Sequence, residues 1–497
     1  MGTMRSVLLL LLGALLCRAA RPGPSSQLRE AQEDCTPRQV HIALAGDAAS
    51  MHVSWKTAGT TCRSEVSWWC DRGVGADASA TNAGGMLRSA VGYSFLLSER
   101  DMCAEPAAAN DFELYLHRAV MTNLELGARY RYRVAGGDAS WGFQAAPATR
   151  PGHAFKFVAF GDMGESEHAA AKSPGAAPTL ERLLREDLPS GLDLALHVGD
   201  VSYADGVPEI WDAFMDSIEP LAARVPYMVQ VGNHEYGYDS GADVDPSGGR
   251  PYAPAWGNFG PDSGGECGVM LARRFEMPSR GRADNPPFWY AFDYGSVHFV
   301  AVSTEHDLEP GSRQYEWLAA ELAAVDRCRT PWLVLLMHRP IYVVYPHKSN
   351  RQVGEHIRAA LEPLLRRHLV DLAISGHVHS YYRTCPVFDE SCTDGDDETS
   401  AGGRIRRGGG GGGGGHGTVH LVVGSAGHKL SALEEGQEEW VAAAERVWGY
   451  TRFSVESGSR MAVEFVESET GRVLDAFELA ASAERLRGAC PAAADSR

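Results

Sequence analysis

Five short stretches carry the side chains best able to do chemistry: Gly161-Asp162-Met163-Gly164, Gly199-Asp200-Val201-Ser202-Tyr203, Gly232-Asn233-His234-Glu235, His338, and Gly376-His377-Val378-His379. Each follows an apolar run. A single Gly-Asp after such a run is ordinary turn chemistry, but five in succession point to one shared crevice. A glycine beside the donor lets the backbone turn sharply toward it. Carboxylate, imidazole, amide oxygen and phenol together suit a hard or borderline metal pair, and no cysteine is offered to a softer ion. A carboxylate has two oxygens and can join metals ~3.5 Å apart.

The elements that must position these donors follow from periodicity. Residues 155–160, 194–198, 227–231, 332–337 and 372–374 are continuous apolar runs that read as buried strands. Residues 179–185 and 353–369 have helical spacing, and strands resume at 418–423 and 461–465. Strands alternating with helices predict an α/β core with polar residues at the carboxyl ends of its strands, where open α/β sheets place their sites. Before this core, residues 40–44, 51–55, 66–69, 115–120 and 130–134 are β-rich and separated by Gly, Asn and Asp clusters. They predict a β-sandwich of roughly 100 residues. His41, His52 and His117 fall in these strands and read as structural. Pro147 and Pro151 mark a linker. Residues 393–417 turn from acidic to basic and then to eight consecutive glycines at 408–415, which predicts a flexible surface loop.

With these motifs in place, the chain resembles the metallophosphoesterases and specifically the purple acid phosphatases, over residues 40–479. Supporting stretches are Asp262-Ser-Gly-Gly-Glu-Cys-Gly-Val269, Phe288-Trp-Tyr-Ala-Phe-Asp-Tyr294 and Ser303-Thr-Glu-His-Asp307. The resemblance is to the high-molecular-weight, plant-type branch. It implies an α/β fold, a four-layer metallophosphoesterase β-sandwich flanked by helices, preceded by an all-β fibronectin-III-like sandwich. Generic metallophosphoesterases open with Asp-x-His. Here Gly164 holds that place, and Tyr203 stands three residues after Asp200. Carried over residue by residue, the resemblance implies Fe³⁺ held by Asp162, Tyr203 and His379. A second divalent metal (Zn, Mn or Fe) would take Asn233, His338 and His377, with Asp200 bridging. It further implies hydrolysis of phosphate monoesters by in-line attack of a metal-activated hydroxide. Asn233, His234, His347 and Lys348 would contact the substrate, and His234 and His347 would be catalytic. Asp205, Glu235, His197, His298 and His306 read as support or packing, and His416 and His428 receive no role.

Two departures stand out. The usual Val-x-x-His is Leu335-Leu336-Met337-His338, an apolar exchange that a buried strand tolerates. Related plant enzymes often show two histidines where this chain has His347-Lys348. A lysine cannot serve as a tunable acid near pH 5, so the pH profile and substrate preference are open at that point. Two alternatives remain. Residues 161–164 and 303–307 also resemble nucleotide pyrophosphatases/phosphodiesterases, and a catalytically inactive binding protein is a remoter reading.

Composition limits the partners. The chain has 497 residues, 44% hydrophobic and 22% charged, enough for two or three globular domains. Lys plus Arg number 46 against 64 Asp plus Glu, a net charge of −18, and no basic stripe appears. That balance excludes a nucleic-acid binder working through its surface charge; the resemblance implies a small phosphate ester as the partner, with a homodimer open. Arg5 precedes an apolar run at residues 7–16, too short to span a bilayer and the right length for a signal peptide. The expected organisation is a signal peptide at 1–19, a linker at 20–36, the fibronectin-III-like domain at 37–148, the metallophosphoesterase domain at 152–480 and a tail at 481–497. The expected location is secreted, extracellular or vacuolar/lumenal, with no membrane attachment after signal removal. Ten cysteines suit that compartment. Cys17 would leave with the signal. Cys385 and Cys392 bracket a short loop and predict one disulfide, and Cys62, Cys70 and Cys103 offer another.

Overall fold

The computed structural model describes residues 34–71, 86–237, 252–257, 259–281, 283–344, 348–393, 404–407, 417–433 and 438–481. The proposed signal peptide, His347 and His416 lie outside the described residues.

The first domain is all-β. One four-stranded sheet runs in the order Arg38–Leu44, Met51–Thr57, Glu113–Met121, Tyr93–Ser98; the other runs Arg88–Val91, Glu65–Cys70, Arg129–Val134, Trp141–Gln144. Every pairing within them is antiparallel. Buried and partly exposed residues alternate along Arg129–Val134 and Glu113–Met121, as strands with one face on a core require. Trp55, Trp68 and Tyr132 fill that core. The strands at 88–91 and 93–98 carry no clean apolar alternation, and periodicity did not predict them or the four-residue strand at 141–144. His117 is held between the Thr57 and Ser64 hydroxyls at 2.9 Å each, a packing role.

The second domain stacks two seven-stranded sheets. In the first, Tyr227–Gln230, Leu194–Val198 and Phe155–Phe160 are parallel neighbours, extended by Gly449–Ser457, Arg460–Glu467 and Val473–Ala481. In the second, Val297–Ala301, Trp332–Leu336, Leu372–Ser375 and Val419–Val423 are parallel neighbours. Apart from the exposed Lys156, the parallel strands Phe155–Phe160, Leu194–Val198, Trp332–Leu336 and Val419–Val423 are buried along their length, which is why they read as apolar runs. Phe157 meets Phe299 edge to face at 5.4 Å, and Tyr381 stacks on Phe465 at 4.0 Å, joining the two sheets. Helices Pro208–Ala222, Arg313–Ala324 and Lys348–Arg367 flank the sandwich. None of the helices among the described residues is long and apolar enough to cross a membrane.

Several expectations change. The helix expected at 179–185 starts earlier, at Ala176–Arg182, and continues as a π-turn through Leu183–Asp187. The helix expected at 353–369 starts at Lys348. Within the loop expected at 393–417, Arg404–Arg407 pairs in parallel with Val473–Ala481 and extends the first sheet. Its glycine-rich neighbours obscure this short strand in the sequence. Cys385–Cys392 is a disulfide as expected, but Cys62 joins Cys35 and Cys103 joins Cys267, leaving Cys70 free. Pairing depends on which strands and loops meet in space, and local spacing does not encode that.

The two domains are tied together at several points. The buried Arg274 guanidinium donates to Asp212 at 2.8 Å and to Gln39 Oε1 at 3.1 Å. Lys56 also pairs with Asp212. Tyr132 Oη donates to the Ala223 carbonyl at 2.8 Å. The Cys103–Cys267 disulfide adds a covalent link.

Candidate metal centre

The donors arrive on loops that leave the carboxyl ends of the parallel strands. Asp162 follows Phe155–Phe160, Asp200 and Tyr203 follow Leu194–Val198, and Asn233 follows Tyr227–Gln230. His338 follows Trp332–Leu336, and His377 and His379 follow Leu372–Ser375. Four of these non-glycine residues sit in the left-handed region, with φ of +59° at Asp162, +50° at Asp200, +53° at Tyr203 and +67° at His377. Such conformations cost of order 1–3 kcal/mol each and collect at functional sites. The preceding glycines are required by proximity: a Cβ on Gly232 would overlap Asp200 Oδ1, and one on Gly376 would overlap Asp162 Oδ2.

All seven donors converge in two groups that share Asp200. Tyr203 Oη lies 3.1 Å from Asp162 Oδ1, 3.2 Å from Asp200 Oδ2 and 2.9 Å from His379 Nε2. On the other side, His338 Nε2 is 3.2 Å from Asp200 Oδ2 and 3.0 Å from Asn233 Oδ1, and His377 Nδ1 is 2.9 Å from the same amide oxygen. Both groups, Asp162–Asp200–His379 and Asp200–His338–His377, have donor atoms close enough to hold an ion.

Electrostatics tests the fit to a metal pair. Burial, with the Asp162 and Asp200 carboxylates beside it, pushes the Tyr203 hydroxyl well above the ordinary phenol range. Burial raises Asp162. Burial also opposes the charge on Asp200, but His338 and His234 outweigh it and hold that carboxyl well below its usual range. His338 is pushed up to about 10: burial pulls it down and Asp200 more than restores it. In short, protons hold together a cluster of buried electron-pair donors that a cation would hold better. The residues fit two adjacent ions, and only a cation of high charge would make Tyr203 a phenolate.

Supporting contacts orient the donors. His338 Nδ1 is 3.0 Å from the Val198 carbonyl and His379 Nδ1 is 2.8 Å from the Lys429 carbonyl, which directs the Nε2 lone pairs inward. The His377 and His234 backbone N–H groups donate to Asp162 Oδ2 at 2.8 Å and Asp200 Oδ1 at 2.9 Å. Glu235 accepts from the Asp200, Val201 and Gly232 backbone N–H groups at 2.8, 2.6 and 2.9 Å, locking two donor loops to each other. His234 Nδ1 pairs with Asp205 Oδ1 at 2.8 Å. Burial opposes its charge, but Asp200, Asp205 and Asp262 push its pKa up to about 9.

His347 lies outside the described residues, and so does the Lys348 side chain; Lys348 is the first residue of its helix. Asp205 and Glu235 take the supporting roles just given. His197 packs with Nδ1 2.8 Å from Tyr227 Oη, and His298 pairs with Asp293. One reading is corrected. His428, which the sequence left without a role, stacks on the Tyr203 ring at 4.0 Å and places Nδ1 3.2 Å from His379 Nδ1. The His234 ring also lies 4.4 Å from the Tyr203 ring, tilted at 50° to it. Two further residues were missed. Asp262 accepts from Asn233 Nδ2 at 3.0 Å, and Arg339, paired with Glu305 at 2.8 Å, places Nη1 3.3 Å from His377 Nε2. For Arg339, its position directly after His338 was the available signal.

Comparison with known proteins agrees with this geometry. Three family descriptions match the chain in order: "Purple acid Phosphatase, N-terminal domain" at 37–148, "Calcineurin-like phosphoesterase" at 155–381 and "Iron/zinc purple acid phosphatase-like protein C" at 417–476. An Arabidopsis thaliana protein named "Probable inactive purple acid phosphatase 27" is 32% identical over 404 residues, 77% of this chain. The match spans 61% of that relative's length. A Hordeum vulgare protein named "Nucleotide pyrophosphatase/phosphodiesterase" is 32% identical over 371 residues, 71% of this chain and 92% of its own. The solved structure of purple acid phosphatase PPD1 from yellow lupin (Lupinus luteus) seeds superposes with a TM-score of 0.77 at 27% identity, covering 91% of this chain and 76% of that one. The chain belongs to the purple acid phosphatase family of metallophosphoesterases.

Proposed function

We propose that this protein is a secreted acid phosphatase that hydrolyses phosphate monoesters with a resident pair of metals, Fe³⁺ and a divalent Zn, Mn or Fe. The observation that carries the reading is the convergence of seven donors around the shared Asp200. Asp162, Tyr203 and His379 would hold the trivalent ion, Asn233, His338 and His377 the divalent one, and Asp200 both. When bound, the pair supplies positive charge to the phosphate and makes hydrolysis feasible at acid pH. The chain's own part is orientation and proton handling. Asp205 fixes His234 through Nδ1, so that Nε2 can give a proton to the leaving-group oxygen. Glu235 keeps the Asp200 and Asn233 loops in register. Disulfides at 35–62, 103–267 and 385–392 support an oxidising compartment.

A second reading, a nucleotide pyrophosphatase/phosphodiesterase on the same centre, draws on the name of the barley relative. Relatives named inactive favour a third, a metal-holding protein without turnover. One experiment separates them: metal analysis of the purified protein together with turnover of a nitrophenyl monoester and a bis-nitrophenyl diester. Faster monoester turnover is expected. Faster diester turnover selects the second reading, and a metal-loaded protein that turns over neither selects the third.

A further inference from the structure

One loop backs one half of the site. Residues 424–431 follow the strand Val419–Val423 and meet Asp162, Tyr203 and His379. The His428 backbone N–H donates to the Asp162 carbonyl at 2.9 Å. The Lys429 carbonyl lies 2.8 Å from His379 Nδ1. Ser431 closes on the His379 backbone twice, its N–H donating to the carbonyl at 2.9 Å and its hydroxyl accepting from the N–H at 3.1 Å. The loop is pressed close to the Asp162 turn: a Cβ on Gly427 would lie 1.9 Å from the Met163 carbonyl oxygen. Trp448 Nε1–H donates to the His428 carbonyl at 3.0 Å and pins that residue from outside. Among the described residues, no hydrogen bond joins this loop to Asn233, His338 or His377.

The His428 side chain makes two contacts with donors. Its ring stacks on the Tyr203 ring at 4.0 Å and 24°. A flat neighbour fixes the plane of the phenol, and with it the direction from which Oη meets an ion. His234 is tilted at 50° to that ring and does not supply the same flat contact. The second contact is Nδ1 to Nδ1, 3.2 Å from His379. The Lys429 carbonyl can only accept, so His379 Nδ1 carries the proton and His428 Nδ1 meets it with a lone pair. An imidazole whose N–H is taken up by acceptors is held in place and is the stronger ligand through its other nitrogen.

We propose that His428 is a positioning residue for the trivalent half of the centre alone, setting the plane of Tyr203 with its ring and sharing the His379 Nδ1 proton through its own Nδ1. The inference rests on the reading of Asp162, Tyr203 and His379 as iron ligands. The test uses the full chain loaded with iron and zinc, as the parent, His428→Ala and His428→Phe. Metal content is read after a graded chelator challenge, and the visible spectrum is recorded per bound iron. His428→Ala should weaken iron retention about tenfold or more, leave zinc retention as in the parent and displace the visible band. His428→Phe restores a flat ring without the nitrogen, so the band should return to the parent position while iron retention stays below the parent's. Unchanged iron retention in His428→Ala overturns the proposal. Equal loss of iron and zinc marks a merely structural residue and also overturns it, as does a band in His428→Phe that matches His428→Ala. A parent with no iron band removes the iron reading and this inference with it. A banded parent with an unaffected His428→Ala removes this inference alone.

Discussion

Asp262 Oδ2 accepts the Asn233 Nδ2–H at 3.0 Å, and this one hydrogen bond decides which end of the amide faces His338 and His377. The oxygen then points inward, 3.0 and 2.9 Å from their ring nitrogens. Asp262→Ala should weaken the divalent site roughly 10–100-fold, the usual cost of losing a residue that orients a ligand. Chelator competition monitored by metal analysis checks this. Iron retention through Asp162, Tyr203 and His379 should be unaffected.

Tyr203 is predicted to become a phenolate only with iron bound, because burial and two carboxylates otherwise keep its proton on. The iron-loaded protein should therefore show a visible charge-transfer band that is absent in Tyr203→Phe. Absorption spectroscopy on samples of equal iron content checks it. A band that survives the substitution would remove Tyr203 from the ligand set.

The Cys103–Cys267 disulfide closes a sequence separation of 164 residues between the two domains. Replacing both cysteines with serine should cost about 2–5 kcal/mol, since an open chain regains the entropy that a long closed loop denies it. Denaturant unfolding of the double variant measures the loss. Removing Cys385–Cys392, with a separation of only 7, should cost less.

Acid should weaken the fold through His420. Its ring is fully buried, 4.9 Å from the Tyr342 ring, and burial, aided by Arg358, lowers its pKa to about 3. The folded value lies below the unfolded value of about 6.5, so the unfolded state binds the proton first. Stability is then full above pH ~6.5 and falls as the pH drops from there toward about 3. The loss should reach roughly 2 kcal/mol at pH 5. Unfolding free energies across pH 4–7 should show a shallower acid limb in His420→Leu than in the parent.

The donor stretches were legible because each is written locally: an apolar run, a glycine and a polar side chain occupy consecutive positions. The strands at 155–160, 194–198 and 332–336 lie where the apolar runs put them, since strands buried on both faces leave no alternation to misread. The first domain was legible in its long strands and not in Arg88–Val91 or Tyr93–Ser98, where Val91, Tyr93 and Leu96 are exposed and the period-2 signal fails.

What the sequence determined by itself was the inventory: a β-rich domain before an α/β core, and seven candidate metal-donor side chains at strand ends. Only the tertiary structure decided the company those side chains keep. His428, 225 residues after Tyr203, lies on its ring because Val419–Val423 pairs beside Leu372–Ser375 and delivers the following loop to the site. Asp262 reaches Asn233, and Phe259 reaches the underside of Arg339, through loops with no periodicity to read. Cys103 finds Cys267 for the same reason. Turn chemistry and strand period act over a few residues. Contacts between loops are set by sheet order, which the chain as a whole must satisfy at once.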